Sequence, residues 1–394
     1  MTAAPRFELG INYWPRRTAM YMWRDFDIGE VRDEFAHVAD MGFDTVRVFA
    51  LTQDFLPARE SVDAAMVGRL VDVARAASEA GLSIVPTLIV LNMSGNIWWP
   101  SWMLDADGNP ADLYSEPSLL RSQTLLATAC ASALAGDASI RAIDIANEID
   151  DAQRPHSRQA ACDWTSAMAN AIRESAPDIP VRIGAHLPSL TSDNNMRVDD
   201  LASVLDEDVM HAYPLYSEFA RSFLDPELVP FTCALTAGLA GKHRAPLMQE
   251  FGLCTAPRGS EGLTITDDFL GSQRTQYLAS EEEGATYYDD VVSRLIATGA
   301  SGAYAWCYAD YDARLFDRPP LARAIRERSF GIVRADKSEK PAAQVFRSLR
   351  RRRDDGAIVR GLVPPVLDIS ADEYYRAPAA HFGRLYGTWL EQTT

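Results

Sequence analysis

Two apolar runs in this chain each end on a glutamate. One reads Ile143-Asp144-Ile145-Ala146-Asn147-Glu148, the other Pro246-Leu247-Met248-Gln249-Glu250-Phe251-Gly252. One carboxyl that protonates a leaving oxygen and a second that attacks the carbon it departs from are what cleavage of a glycosidic bond requires. Taken singly, either glutamate is equally well a strand-end residue in a surface ion pair. Arg47 lies within a third run, Thr45-Val46-Arg47-Val48-Phe49, whose apolar neighbours keep it inside. A buried guanidinium needs an anionic partner, and Glu250 is a natural one. His211-Ala212-Tyr213 brings two hydrogen-bonding rings to the end of another run, where the tyrosyl hydroxyl can touch a nucleophile. Trp14, Trp98, Trp99, Trp102 and Trp306 fall at or just after run ends, where a flat apolar face can stack on a sugar ring.

The elements that must hold these residues repeat along the chain. Short apolar runs alternate with longer amphipathic segments from Phe7 onward, the rhythm of parallel strands joined by crossover helices. Eight strands are expected near Phe7–Tyr13, Thr45–Ala50, Ser83–Val90, Ile140–Ala146, Val181–Ala185, Asp208–Ala212, Pro246–Gln249 and Gly302–Trp306. Asp27 with Glu30 three residues on reads as a helix start, and Val31, Phe35 and Val38 recur at helical spacing. Ser61 is expected to open a second helix. Later helices are expected over Ser118–Leu134, Arg158–Glu174, Glu227–Leu239, Glu281–Thr298 and Lys340–Arg353. This α/β pattern fits a (β/α)8 TIM barrel, residues 1–355, better than an open doubly wound sheet. No G-x-G-x-x-G follows the first strand and no phosphate-binding G-x-x-x-x-G-K-[ST] occurs. In a barrel the chemistry sits at the carboxyl ends of the strands, so Glu148 on the fourth and Glu250 on the seventh face each other obliquely across one mouth.

Residues 356–394 form a short C-terminal extension. Gly361, Pro364, Pro365 and Pro378 alternate with Tyr374, Tyr375, Phe382, Tyr386 and Trp389, too apolar for a free tail. It is expected to pack on the barrel or on a neighbouring subunit, the second case giving a homo-oligomer. The 394 residues carry 47% hydrophobic side chains, enough for a large core. The net charge of −17 repels a phosphate backbone or an anionic membrane surface, so neither nucleic acid nor membrane is an expected partner. No apolar stretch reaches the roughly 20 residues of a membrane span. Five widely spaced cysteines without C-x-x-C, and an N-terminus without a basic-then-apolar leader, suggest a reducing, cytoplasmic setting. The six histidines show no metal-ligand spacing, and neither a metal nor another cofactor is expected.

Asn147-Glu148, Glu250, Arg47, His211-x-Tyr213 and Trp306, taken in order, resemble the clan A retaining glycoside hydrolases, especially glycoside hydrolase family 5. The resemblance spans residues 7 to about 345 and implies Glu148 as acid/base, Glu250 as nucleophile and Asn147 as a contact to the sugar 2-hydroxyl. Arg47 and Tyr213, with His211 beside them, would position the nucleophile, and Trp306 would be a platform beneath the sugar. The segment Asn92 to Trp102, and Phe330-Gly331-Ile332-Val333 with Lys340-Pro341, are similar to the mannanase and β-mannosidase-like members. Asn92 and Asp310 join the tryptophans as expected substrate contacts. The implied activity is an exo-acting β-mannosidase on short oligosaccharides. An endo-β-mannanase, a β-glucanase or β-glucosidase, and a catalytically silent sugar-binding barrel are the alternatives. The charge on Glu250 is expected to raise the proton affinity of Glu148.

Overall fold

A computed structural model describes residues 6–241, 244–358 and 366–393. Eight parallel strands form its centre: β1 (Glu8–Asn12), β2 (Thr45–Leu51), β3 (Ser83–Val90), β4 (Ile143–Asn147), β5 (Val181–Gly184), β6 (Val209–His211), β7 (Leu247–Phe251) and β8 (Gly302–Ala305). They are ordered β5-β4-β3-β2-β1-β8-β7-β6. The remaining seam between β5 and β6 is drawn together by a parallel bridge of His186 to His211 and by His211 N donating to Ala185 O at 2.8 Å. A (β/α)8 barrel results.

Each strand is followed by helix, with the principal outer helices at α1 (Ile28–Asp40), α2 (Ala64–Glu79), α3 (Pro117–Leu134), α4 (Arg158–Ser175), α5 (Val198–Val204), α6 (Leu228–Ala240), α7 (Glu281–Ala297) and α8 (Pro341–Asp354). Their starts follow capping chemistry. Asp27 accepts from Gly29 N and Glu30 N at the head of α1, and Ser280 and Glu283 form a reciprocal capping box at the head of α7. Helix α2 begins later than Ser61, because Asp63 rather than Ser61 accepts the first backbone donors, Ala65 N and Met66 N. Strand β4 likewise begins at Ile143, with Ile140 making only an isolated bridge to Ile84.

The barrel interior is polar along much of its axis. At the amino end, the Tyr304 hydroxyl donates to Glu8 Oε1 at 2.6 Å, and Arg182 reaches both Tyr304 (3.3 Å) and Glu207 (2.8 Å). The ring of Tyr304 fills the space beside Gly10, where a Cβ would stand 2.1 Å from it. That packing leaves the opposite mouth for the chemistry.

Two features lie outside the expected repeat. An antiparallel hairpin, Leu263–Phe269 with Ser272–Leu278, follows β7. Its two-residue turn places Leu270 (φ 49°) and Gly271 (φ 85°) both in the left-handed region, the type I′ geometry that suits strand twist. The C-terminal extension folds back as α9 (Pro378–Thr393). Phe382, Tyr386 and Trp389 pack around Phe231 of α6, the Tyr386 hydroxyl donates to Asp225 at 2.7 Å, and Trp389 Nε1 donates to Glu227 at 3.0 Å. Gly361, Pro364 and Pro365 of the extension lie outside the described residues. Among the described residues no helix is long and apolar enough to cross a membrane.

Candidate active site

Arg47 leaves β2 toward the barrel axis and is fully buried. Its Nη2 donates to Asp144 Oδ2 at 2.7 Å and to Asn147 Oδ1 at 2.9 Å, its Nε to Thr87 Oγ1 at 2.9 Å, and its Nη1 to Asn12 Oδ1 at 3.2 Å and to Glu250 Oε1. One guanidinium thus joins β1, β2, β3, β4 and β7. Sequence reasoning supplied Glu250 as the anionic partner and missed Asp144. Its signal was a charged residue inside the apolar run of β4, two positions before Ala146.

Glu250 is 5% exposed, and its second oxygen accepts from the Tyr213 hydroxyl at 2.9 Å. Glu148 stands one residue beyond β4 with φ 41°, a left-handed backbone that costs a non-glycine residue about 1–2 kcal/mol. Its amide donates to Gly184 O at 3.1 Å, which fixes the turn and aims the side chain over the mouth. Glu148 Oε1 accepts from His211 Nδ1 at 2.9 Å and Oε2 from Asn92 Nδ2 at 3.1 Å. His211 therefore bonds Glu148, while its Nδ1 lies 3.6 Å from Glu250. The tautomer follows from Gln249. With its amide oxygen accepting from Arg182 Nε (2.9 Å) and Nη2 (3.2 Å), its NH2 donates to His211 Nε2 at 3.0 Å, so Nδ1 carries the hydrogen. Asn147 is fixed on both sides, its Oδ1 accepting from Arg47 and one Nδ2 hydrogen going to Asn92 O at 3.0 Å.

An oxygen of Glu148, an oxygen of Glu250 and a ring nitrogen of His211 all lie within 4.8 Å of one another. Carboxyl groups about 5–5.5 Å apart belong to direct attack by one of them, whereas about 6.5–9.5 Å leaves room for an intervening water. Glu148, Asp151 and His186 form a second trio within the same limit. Either trio has the donor types to chelate a divalent ion, although Glu148 and Glu250 already accept hydrogen bonds from His211, Asn92, Arg47 and Tyr213.

The electrostatics of Glu148 run against expectation. Burial alone would raise its pKa, but the charge of His186, the hydrogen bond from His211 Nδ1 and the charge of Arg47 act against it and hold it below the usual carboxylate range. Asp151, three residues on, is pushed up to about 6 by burial and by the negative charges of Glu148 and Asp150, partly offset by His186. His186, despite its burial, is raised well above the usual imidazole range by Asp150, Asp151 and Glu148.

These groups line a cavity of about 550 Å3, within the span of small-ligand sites. Trp306, Asn92, Asn147, His211 and Tyr213 are on its wall, and Trp306 meets the edge of Phe49 at 5.7 Å. Gly252 admits this arrangement, because a Cβ there would stand 2.3 Å from Trp306 O. Other expected contacts do not reach the cavity. Trp14 is fully buried, stacked on Phe49 at 5.4 Å with its Nε1 toward Met93 Sδ. Trp98 is buried with Nε1 donating to Met93 O, and Trp99 is half-buried against the core. Trp102 donates to Leu56 O at 2.9 Å and lies beneath Arg59. Asp310 is bound by Lys340 Nζ at 2.7 Å and by Gly331 N at 2.9 Å. Trp14, Trp98 and Asp310 are tied into the surrounding loops, while Trp99 and Trp102 are half-buried away from the cavity wall. The residues that reasoning from sequence missed are Asp151 and His186 on one wall and Tyr216, Arg326, Glu327 and Phe330 on another, with Leu270 and Arg274 from the hairpin.

No protein-family model and no curated protein sequence matches this chain. Its likeness is to solved structures. A GH5_18 protein from Streptomyces cattleya, in complex with GlcNAc, superposes with a TM-score of 0.82 at 22% identity, over 99% of this chain and 92% of that one. An exo-beta-1,4-mannosidase from Opitutaceae bacterium strain TAV5 gives 0.74 at 25% identity, over 90% of this chain and 61% of that one. A GH5_18 protein from Bifidobacterium longum subsp. longum gives 0.73 at 16% identity, over 91% and 81%. At these identities the likeness is one of architecture, and this chain has the (β/α)8 barrel fold of those structures.

Proposed function

We propose that the protein is a retaining glycoside hydrolase, an exo-acting β-mannosidase on short β-mannosyl oligosaccharides. The observation that carries this reading is the Glu148–Glu250 pair, with oxygens within 4.8 Å at the floor of one cavity. Glu250, held by Arg47 and Tyr213, attacks the anomeric carbon as Glu148 gives a proton to the departing oxygen. A glycosyl-enzyme forms on Glu250. Glu148 then takes a proton from water, which attacks the same carbon and releases the sugar with its starting configuration. Trp306 supplies the apolar face against the sugar, and Asn147, fixed by Arg47 and by Asn92 O, supplies the amide beside the nucleophile.

The choice of mannose is supported by the structural neighbours. One is named an exo-beta-1,4-mannosidase, and a variant of the Streptomyces cattleya GH5_18 protein was solved in complex with Manb1-4GlcNAc. The same reading puts the enzyme in the cytoplasm, acting on imported fragments, a setting that five free cysteines suit. Nitrophenyl β-glycosides of mannose, glucose and galactose, followed by product chromatography on Manβ1-4GlcNAc and β-1,4-mannobiose, test it. Release of mannose, and no cleavage inside longer chains, is expected. Preferred turnover of the glucoside would overturn the sugar assignment, and no turnover of any β-glycoside would overturn the enzyme.

A further inference from the structure

The proposed reaction needs a proton on Glu148 when substrate arrives, yet the charges around that carboxyl favour its ionised form. A second carboxyl stands beside it. Asn92 Nδ2 donates to both, at 3.1 Å to Glu148 Oε2 and at 3.2 Å to Asp151 Oδ2. His186 Nδ1 lies between them, 3.9 Å from Glu148 Oε1 and 3.8 Å from Asp151 Oδ2. Its other nitrogen is fixed, since Nε2 bonds Asp150 Oδ2 at 2.9 Å, and Asp150 is itself held by Asn194 Nδ2 at 2.5 Å. Glu148, Asp150 and Asp151 share one short segment, the helical turn Ile149–Ala152 and the residue before it, while His186 comes from beyond β5 and Asn92 from beyond β3. Asp151 and His186 both face the cavity.

Resting on the retaining reading above, we infer that Asp151 is a positioning residue for the catalytic proton. It stores the proton that Glu148 delivers, and His186, anchored by Asp150, decides which of the two carboxyls carries it. The transfer balances without any outside reactant. At rest Glu148 is ionised and Asp151 carries the proton. As substrate seats, His186 Nδ1 gives its hydrogen to Glu148 and takes the proton of Asp151, and Glu148 passes the proton it has received to the leaving oxygen, so the imidazolium is regenerated and both carboxyls are left ionised. In the second step the proton that Glu148 takes from water returns to Asp151 by the same route. Two carboxyls this close titrate as a pair, with one step well above the other. Burial and the facing negative charges raise Asp151, while His186 and Arg47 lower Glu148, so the proton of the pair favours the Asp151 side. The charged groups that face the trio are Asp150 on its own turn, Arg154 just after it, Glu250 from β7 and Arg47 from β2, and the neutral imidazole of His211 faces it from β6.

The test is the pH profile of kcat/KM for wild type, Asp151→Asn and His186→Gln. Each is measured on a β-glycoside with a good leaving group and on a disaccharide that needs protonation. In wild type the alkaline limb on the disaccharide should fall near pH 6. Asp151→Asn deletes the store and should move that limb down by about one pH unit or more, with little effect on the activated substrate. His186→Gln removes both the relay and the cation that depresses Glu148, so it should lower kcat/KM on the disaccharide several-fold more than on the activated substrate, and the activity that remains should show the alkaline limb moved up. Shifts of opposite sign cannot come from general loosening of the site. An unmoved limb in Asp151→Asn, or an equal loss on both substrates through KM alone, would mean that Asp151 merely contacts the aglycone, and would overturn the inference. Wild-type protein inactive on every β-glycoside would overturn the function reading and this inference together, so the two failures are distinct.

Discussion

Each carboxylate of the pair is held by different partners, and the difference supports the roles proposed for them. Glu250 meets Arg47 and Tyr213, both suited to keeping a nucleophile charged and aimed, whereas Glu148 meets neutral donors from His211 and Asn92 at the cavity wall. Glu250→Ala should lower kcat by roughly 10³-fold or more, because no other carboxylate can form the covalent intermediate. Residual kcat of Glu250→Ala above a few per cent on an activated β-glycoside would remove the nucleophile assignment. Glu148→Ala should spare formation of the glycosyl-enzyme from activated substrates and cripple the disaccharide, read as a burst of nitrophenol followed by slow turnover. Equal losses on both would count against the acid/base role. Arg47 has a structural part as well. Arg47→Met leaves Asp144 and Glu250 buried without their cation and should destabilise the barrel by about 3–5 kcal/mol, read from urea unfolding. A change below 1 kcal/mol would show that the five-strand network is not what holds the mouth.

At the scale of elements, the strands were legible because each is a short apolar run closed by a polar residue, and all eight fell within a few residues of where the pattern puts them. The hairpin was not, because a Leu-Gly turn lacks the Asn or Asp that marks a type I′ loop and its strands carry many polar residues. The catalytic candidates were legible for the same reason as the strands, since Asn147-Glu148 and Glu250 are the residues that end them. Trp306 lines the cavity and the other four tryptophans do not, because a large ring just past a strand end is as useful for tying loops to the core as for stacking on sugar. Trp14 and Trp98 do the former. Asp151 and His186 carried no pattern at all, because their proximity arises from the barrel's closure and not from spacing along the chain. Packing of α1 on β1 creates a measurable pH dependence. Glu34, which faces the Tyr13 hydroxyl at 2.9 Å and Arg16 at 3.6 Å, is raised from 4.5 to about 8, by burial first and then by Glu30. Between those values the folded chain keeps a proton that the unfolded chain has lost, so folding stability falls as pH rises through this window. Glu34→Gln removes that slope. Its melting temperature should gain on wild type between pH 5 and pH 9, and an equal difference at both pH values would contradict the raised pKa.

The whole molecule is a barrel whose amino end is locked by Tyr304, Glu8 and Arg182 and whose carboxyl end opens on one polar cavity, with α9 packed against α6 on the outside. Its architecture follows that of the GH5_18 structures over 99% of its length at 22% identity, which shows how little of the sequence the fold requires. In the proposed reaction, β4 and β7 bring Glu148 and Glu250 too close for a water to attack between nucleophile and sugar. Two displacements at the anomeric carbon must then follow, one forming and one breaking the bond to Glu250. The anomeric proton of the first sugar released, followed by NMR before mutarotation, reads this directly. A β-mannoside should first yield β-mannose. First-formed α-mannose would mean a single inversion by water, and would contradict both the nucleophile and the retaining mechanism.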